Sequence, residues 1–146
     1  MKLSTKYHGE LEIQEDQYFT FEEGIPGFSQ EKKFILLDLT DDQSFSVLQS
    51  TQTPGLAFVV TSPFLTYPEY EFQLDDQLVE QMGITKEGVV IYSIVTVKDP
   101  FAESSINLQA PVMMDMNTRK AKQIILNQTN YQIRTPLFPN VENKEE

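Results

Sequence analysis

The sequence of 146 residues contains no cysteine, one histidine and only 11 Lys and Arg residues against 22 Asp and Glu. Without cysteine there are no disulfides, no thiolate nucleophile and no Cys-bound zinc or iron site, and a reducing compartment suits the chain. The lone His8 has no second His or Cys to converge with. It therefore reads as a strand-end or surface histidine rather than a metal ligand or a catalytic base. The shortage of cations is uneven. None falls between His8 and Lys32, where Glu10, Glu12, Glu15, Asp16, Glu22, Glu23 and Glu31 lie. None falls between Lys33 and Lys86 either, against eight carboxylates from Asp38 to Glu80. Nucleic-acid affinity comes largely from Lys and Arg neutralising phosphates, so no direct nucleic-acid binding is expected. No apolar run approaches a bilayer-spanning length, and MKLSTKYHGELEIQED carries no apolar core of signal-peptide size; a cytoplasmic protein without a membrane partner is expected. Gly-rich phosphate loops, a GxSxG elbow and EF-hand spacing are also missing, so an enzyme is not expected and no cofactor is implied.

What is present is material for a core. The chain is 40% hydrophobic, with ten Phe and six Tyr, and its length fits one domain. Leu11 and Ile13, then Phe19 and Phe21, alternate with polar residues as strands do. Phe21 to Phe28 reads FEEGIPGF. Pro26 and Gly27 suit the central pair of a type II turn, and Gly24 supplies a second unusual backbone angle. This turn carries Ile25 and Phe28, either into the core or as a rigid apolar tip for a partner. The run Phe34–Leu39 and the alternating Phe45–Gln49 flank a polar turn and predict a hairpin. Leu56–Val60 is apolar on both faces and should be a central strand. Phe64 to Phe72, bounded by prolines and rich in aromatics, should be irregular or at an edge.

Asp75 can cap a short helix whose stripe is Leu78, Val79 and Met82 and whose end is Gly83. Such a helix is too short to persist without docking. Val89–Val97 is the longest strand signal and the expected centre of the sheet. The stretch Ile106–Leu126, INLQAPVMMDMNTRKAKQIIL, predicts two strands joined by a turn at Asn117-Thr118 that closes the sheet, with Ile124, Ile125 and Leu126 in the core. Arg119 and Lys120, rare cations here, are expected to meet carboxylates. Together these signals predict an all-β chain: a small β-barrel-like fold of about nine or ten mostly antiparallel strands with one short helix. The domain should span residues 1–137, followed by a flexible acidic tail over 138–146. Asn127-Gln128-Thr129 matches a glycosylation sequon that a chain without a secretory signal would not use.

FEEGIPGF (Phe21–Phe28), FSVLQS (Phe45–Ser50), LAFVVTSPF (Leu56–Phe64), INLQAPVMMDMNTRKAKQIIL and YQIR (Tyr131–Arg134), in this order and spacing, resemble the flagellar assembly factor FliW family. The resemblance runs from about Lys2 to Leu137 and is strongest at Leu108-Gln109-Ala110-Pro111. It implies a β-barrel-like, non-enzymatic regulator with two partners. One is cytoplasmic flagellin. The other is CsrA, a dimeric RNA-binding repressor of flagellin translation, which the factor captures and antagonises when free of flagellin.

An acidic protein suits a basic RNA-binding partner, and the apolar ends of flagellin call for an apolar groove or patch. Candidate protein-binding residues are Ile25, Pro26 and Phe28 on the turn, Asp75 and Asp76 at the helix start, and Met113, Met114 and Met116, since methionine adapts to different partners. In a strand, Met114 and Met116 share one face and Met113 takes the other. The free protein shows no heptad that would make it other than a monomer. The rival readings are a flagellin chaperone without CsrA regulation and a carbohydrate-binding barrel using Tyr67 and Tyr70.

Overall fold

The computed structural model describes residues 2–71, 73–126 and 129–139. Phe72, the first two sequon residues and residues 140–146 of the expected tail lie outside the described residues. Among the described residues there are eleven strands: β1 (Lys2–Ser4), β2 (Glu10–Glu12), β3 (Tyr18–Phe21), β4 (Lys33–Asp38), β5 (Phe45–Ser50), β6 (Ala57–Thr61), β7 (Val89–Thr96), β8 (Ser105–Ile106), β9 (Val112–Asp115), β10 (Lys120–Gln123) and β11 (Thr135–Pro136). Between β6 and β7 lie a single helical turn, α1 (Pro63–Thr66), and a seven-residue helix, α2 (Asp76–Met82).

β1 and β2 form a separate hairpin. The other nine strands form one sheet in the order β11-β8-β7-β6-β5-β4-β3-β10-β9, and pairing of β7 with β9 closes seven of them into a barrel. Closure removes the exposed edges that an open sheet would offer for aggregation. The expected hairpin of β4 and β5 is present, with Leu37 opposite Val47. All barrel pairings are antiparallel except β3 with β10, where Lys120 lies opposite Thr20. β7 is the hub: Val89–Tyr92 pair with β9, Val95 and Thr96 pair with β8, and the other edge meets β6.

Alternating side chains fill the barrel. Phe19, Phe21, Phe34, Leu48, Val60, Val112, Met114 and Ala121 pack together inside it, with the Phe21 and Phe34 rings edge to face at 5.3 Å. Outside the wall, Val59, Tyr70, Val95, Ile106, Leu108 and Leu137 form a second cluster, and Leu3, Ile13 and Ile35 form a third beneath the β1–β2 hairpin. The segment after β6 is irregular, as expected. The chain remains packed slightly beyond the expected domain end: Phe138 joins the second cluster and meets the Phe101 ring at 5.5 Å.

Candidate protein-binding site

The turn after β3 is held by its backbone. Gly24 sits at φ +69°, and a Cβ there would lie 2.7 Å from the Phe28 carbonyl oxygen and the Ser29 backbone, so only glycine fits. The Phe28 amide donates to the Ile25 carbonyl at 2.6 Å, and the Glu31 amide to that of Phe28 at 3.0 Å. The turn points its two apolar residues in opposite senses. Ile25 is only 2% exposed and joins the barrel interior cluster, which corrects its expected place on a contact tip. The backbone reversal at Pro26-Gly27 drives it inward, where aliphatic burial is favourable. Pro26 and Phe28 remain exposed, and Phe28 rests edge-on against Phe58 at 5.4 Å.

Helix α2 flanks this turn. Asp75 caps it, accepting from the Gln77 amide at 2.9 Å, and Gly83 ends it at φ 67°. Asp76 is ion-paired with Lys86 at 2.6 Å. The Lys86 hydrogen bond and charge hold the Asp76 carboxyl below the usual carboxylate value. The expected stripe of Leu78, Val79 and Met82 faces the barrel but is only half-buried.

Between α2 and the strand end after β10 runs a groove of about 910 Å³, lined among others by Pro26, Leu74, Asp75, Leu78, Lys122 and Ile125. A second hollow of about 310 Å³, walled by Phe58, Ile94 and Ile133, meets it at Pro26, Gln123 and Ile125. Two of the expected contact residues, Pro26 and Asp75, thus share one surface. Asp76 faces the other side of α2, where a hollow of about 670 Å³ is bordered by Phe64, Tyr70, Lys86 and Ile91. Glu22, Glu23, Asp75, Asp76 and Glu80 are all exposed around α2 and the turn, and Lys122 is ion-paired with Glu23 at 3.2 Å.

The methionines lie elsewhere. Met113 and Met114 have no exposed surface, which corrects the expectation of a Met-bearing contact strand. β9 lies between β7 and β10 and closes the barrel, so Met114 fills the interior and Met113 is covered on the opposite face. Only Met116, 40% exposed, remains at the surface.

The turn after β9 is organised by Asp115, which is fully buried. Its carboxylate accepts from the Thr85 amide (2.8 Å), the Asn117 amide (2.9 Å) and the Thr118 hydroxyl (2.8 Å). Burial pushes this carboxyl's pKa up, but the hydrogen bonds from Thr85, Asn117 and Thr118 outweigh it, so the net shift is downward. The left-handed residue of the turn is Arg119, φ 63°, rather than Asn117. The Arg119 guanidinium lies over the Phe19 ring at 4.7 Å, and Lys120 Nζ donates to the Met82 carbonyl at 2.6 Å; the expected carboxylate contact belongs to Lys122.

Ile125 corrects a further expectation, while Leu126 packs against the second cluster. The strand ends at Gln123, and Ile125 is 53% exposed in the groove. Three consecutive aliphatics cannot all face inward from a strand of period two, and that was the signal for a surface residue here. Tyr67 and Tyr70, the candidate sugar platform, are committed inward. The Tyr67 hydroxyl donates to the Pro136 carbonyl at 2.5 Å and that of Tyr70 to the Leu108 carbonyl at 2.7 Å. Burial, and then the neighbouring Tyr131, push the Tyr70 hydroxyl's pKa upward.

Against known proteins, the model of the FliW protein family matches residues 2–137. The chain belongs to the FliW family. A flagellar assembly factor FliW of Geobacillus thermodenitrificans is 50% identical over 140 residues, covering 95% of this chain and 96% of that protein. That of Bacillus subtilis is 41% identical over 138 residues, covering 94% and 96%. A crystal structure of the flagellar assembly factor FliW superposes with a TM-score of 0.89 at 48% identity, covering 95% of this chain and 98% of the solved one. The family membership expected from the ordered motifs and the barrel expected from the strand pattern are therefore shown.

Proposed function

We propose that this chain is a non-enzymatic cytoplasmic flagellar assembly factor that binds flagellin and, when free of it, binds and antagonises CsrA, relieving repression of flagellin translation. The observation that carries the reading is a groove with an apolar floor and a polar rim, set within an acidic surface. Pro26, Leu78 and Ile125 offer a partly exposed apolar floor, and Glu23 and Asp75 stand at its rim beside Lys122 and four glutamines. An amphipathic helix seats its apolar face in such a groove, which suits the helical ends of flagellin. The net charge of −11 favours encounter with the basic surface that an RNA-binding protein must carry, and it repels RNA beside the docked partner. The free chain acts as a monomer in this scheme and contacts neither membrane nor nucleic acid.

Competition binding with purified partners tests the reading. Each partner alone should bind this chain, and prebound flagellin should lower CsrA capture in proportion to occupancy. Flagellin binding without CsrA binding would make the chain a flagellin chaperone only. Binding of neither partner would end the proposal.

A further inference from the structure

We infer that helix α2 is a hinged flap on the wall of the groove, which lifts from the barrel while the barrel stays closed. None of its seven residues is buried. Space surrounds it on three sides. One hollow, about 670 Å³, lies by Leu74 and Asp76, and the groove of about 910 Å³ runs along Leu78 and Gln81. A partly open hollow of about 140 Å³, also bordered by the exposed Glu22 and Glu23, lies between Leu78, Gln81 and Met82 of the helix and Gly24, Ala121 and Lys122. A fully seated helix would have filled that hollow with side chains, as protein cores do.

Two polar tethers hold the flap. At its start, Asp76 meets Lys86 in an exposed ion pair, a weak kind of restraint. At its end, Lys120 Nζ reaches from β10 to the Met82 carbonyl. The C-terminal hinge is Gly83, held in the left-handed region at φ 67°, and the chain is anchored again at the buried Ile84. On the N-terminal side, Asp75 is extended. A two-turn helix without tertiary support does not persist in water, so once lifted α2 unwinds. Lifting therefore frees the Val79 amide from the Asp75 carbonyl and the Gly83 amide from that of Glu80. Movement of Leu78 would widen or narrow the seat opposite Ile125. That consequence rests on the groove being the partner's seat; the lifting itself does not.

Hydrogen exchange on the partner-free protein reads the flap directly, so it can stand if the partner assignment fails, and the reverse. The Val79 and Gly83 amides should exchange at least about 100-fold faster than those of the β4–β5 ladder. Lys120→Gln should raise α2 exchange by a further factor of about ten and leave β4–β5 unchanged. Asp76→Asn, at a site too exposed to endanger folding, should raise it by a smaller factor in the same segment only. Protection of α2 equal to that of β4–β5 would overturn the inference. So would variants that raise both regions together or that leave α2 exchange unmoved.

Discussion

Strand β9 and helix α2 are held by opposite means. All four residues of β9 are buried, and its last, Asp115, carries a carboxylate satisfied by the Thr85 and Asn117 amides and the Thr118 hydroxyl. α2 buries none of its seven residues and is tied by an exposed ion pair and one lysine contact to a carbonyl. The seam that closes the barrel is fixed by packing and buried hydrogen bonds, both costly to break. The wall of the groove is held by a half-buried apolar stripe, one lysine contact and an exposed ion pair that is worth little in water. The contrast assigns rigidity to the scaffold and adjustability to the wall of the groove.

The contrast can be broken most severely inside the barrel. Met114→Ala should cost roughly 3 kcal/mol, because the closed barrel cannot collapse around the lost side chain; denaturant unfolding measures it. A loss under about 1 kcal/mol would mean that β9 is no tighter than α2.

Asp115→Asn should cost about 2 kcal/mol at neutral pH, since the amide replaces an acceptor by a donor facing three donors. The pH dependence has a definite sign. The folded pKa is lowered below 3.8, so the wild-type contribution is fully present above 3.8 and is lost as pH falls through the folded value. The stability gap between wild type and variant should therefore be constant near neutrality and shrink only below that point. A gap that instead closed on going from pH 7 to pH 5 would contradict the assigned network.

The barrel was legible in the sequence because alternation and apolar runs specify which strand faces inward, as with Phe34 and Leu48. The cap at Asp75 and the stop at Gly83 were legible for the same local reason: one side chain and one backbone angle decide them. The candidate site was less legible. Whether Met113 is covered depends on tertiary neighbours, which period-two alternation does not contain. Alternation made Met113 and Met114 face opposite ways, and both faces of β9 turned out to be covered. Ile25 is buried by a turn geometry that leaves the adjacent Pro26 exposed. Arg119 turned to the face of Phe19, a contact that charge counting does not anticipate. Ile125 became a groove residue, and Ile133 a wall of the adjoining hollow, only once the chain left the sheet after Gln123.

On the proposed reading, the groove floor beside α2 receives flagellin and the buried methionines do not. The most direct measurement is flagellin affinity for Ile125→Asp, by titration calorimetry, alongside unfolding of the same variant. Ile125 is 53% exposed, so stability should change by less than about 0.5 kcal/mol. Flagellin affinity should fall by about tenfold or more, the effect of placing an unpaired charge in an apolar seat. Unchanged flagellin affinity in a stably folded Ile125→Asp variant would contradict the account.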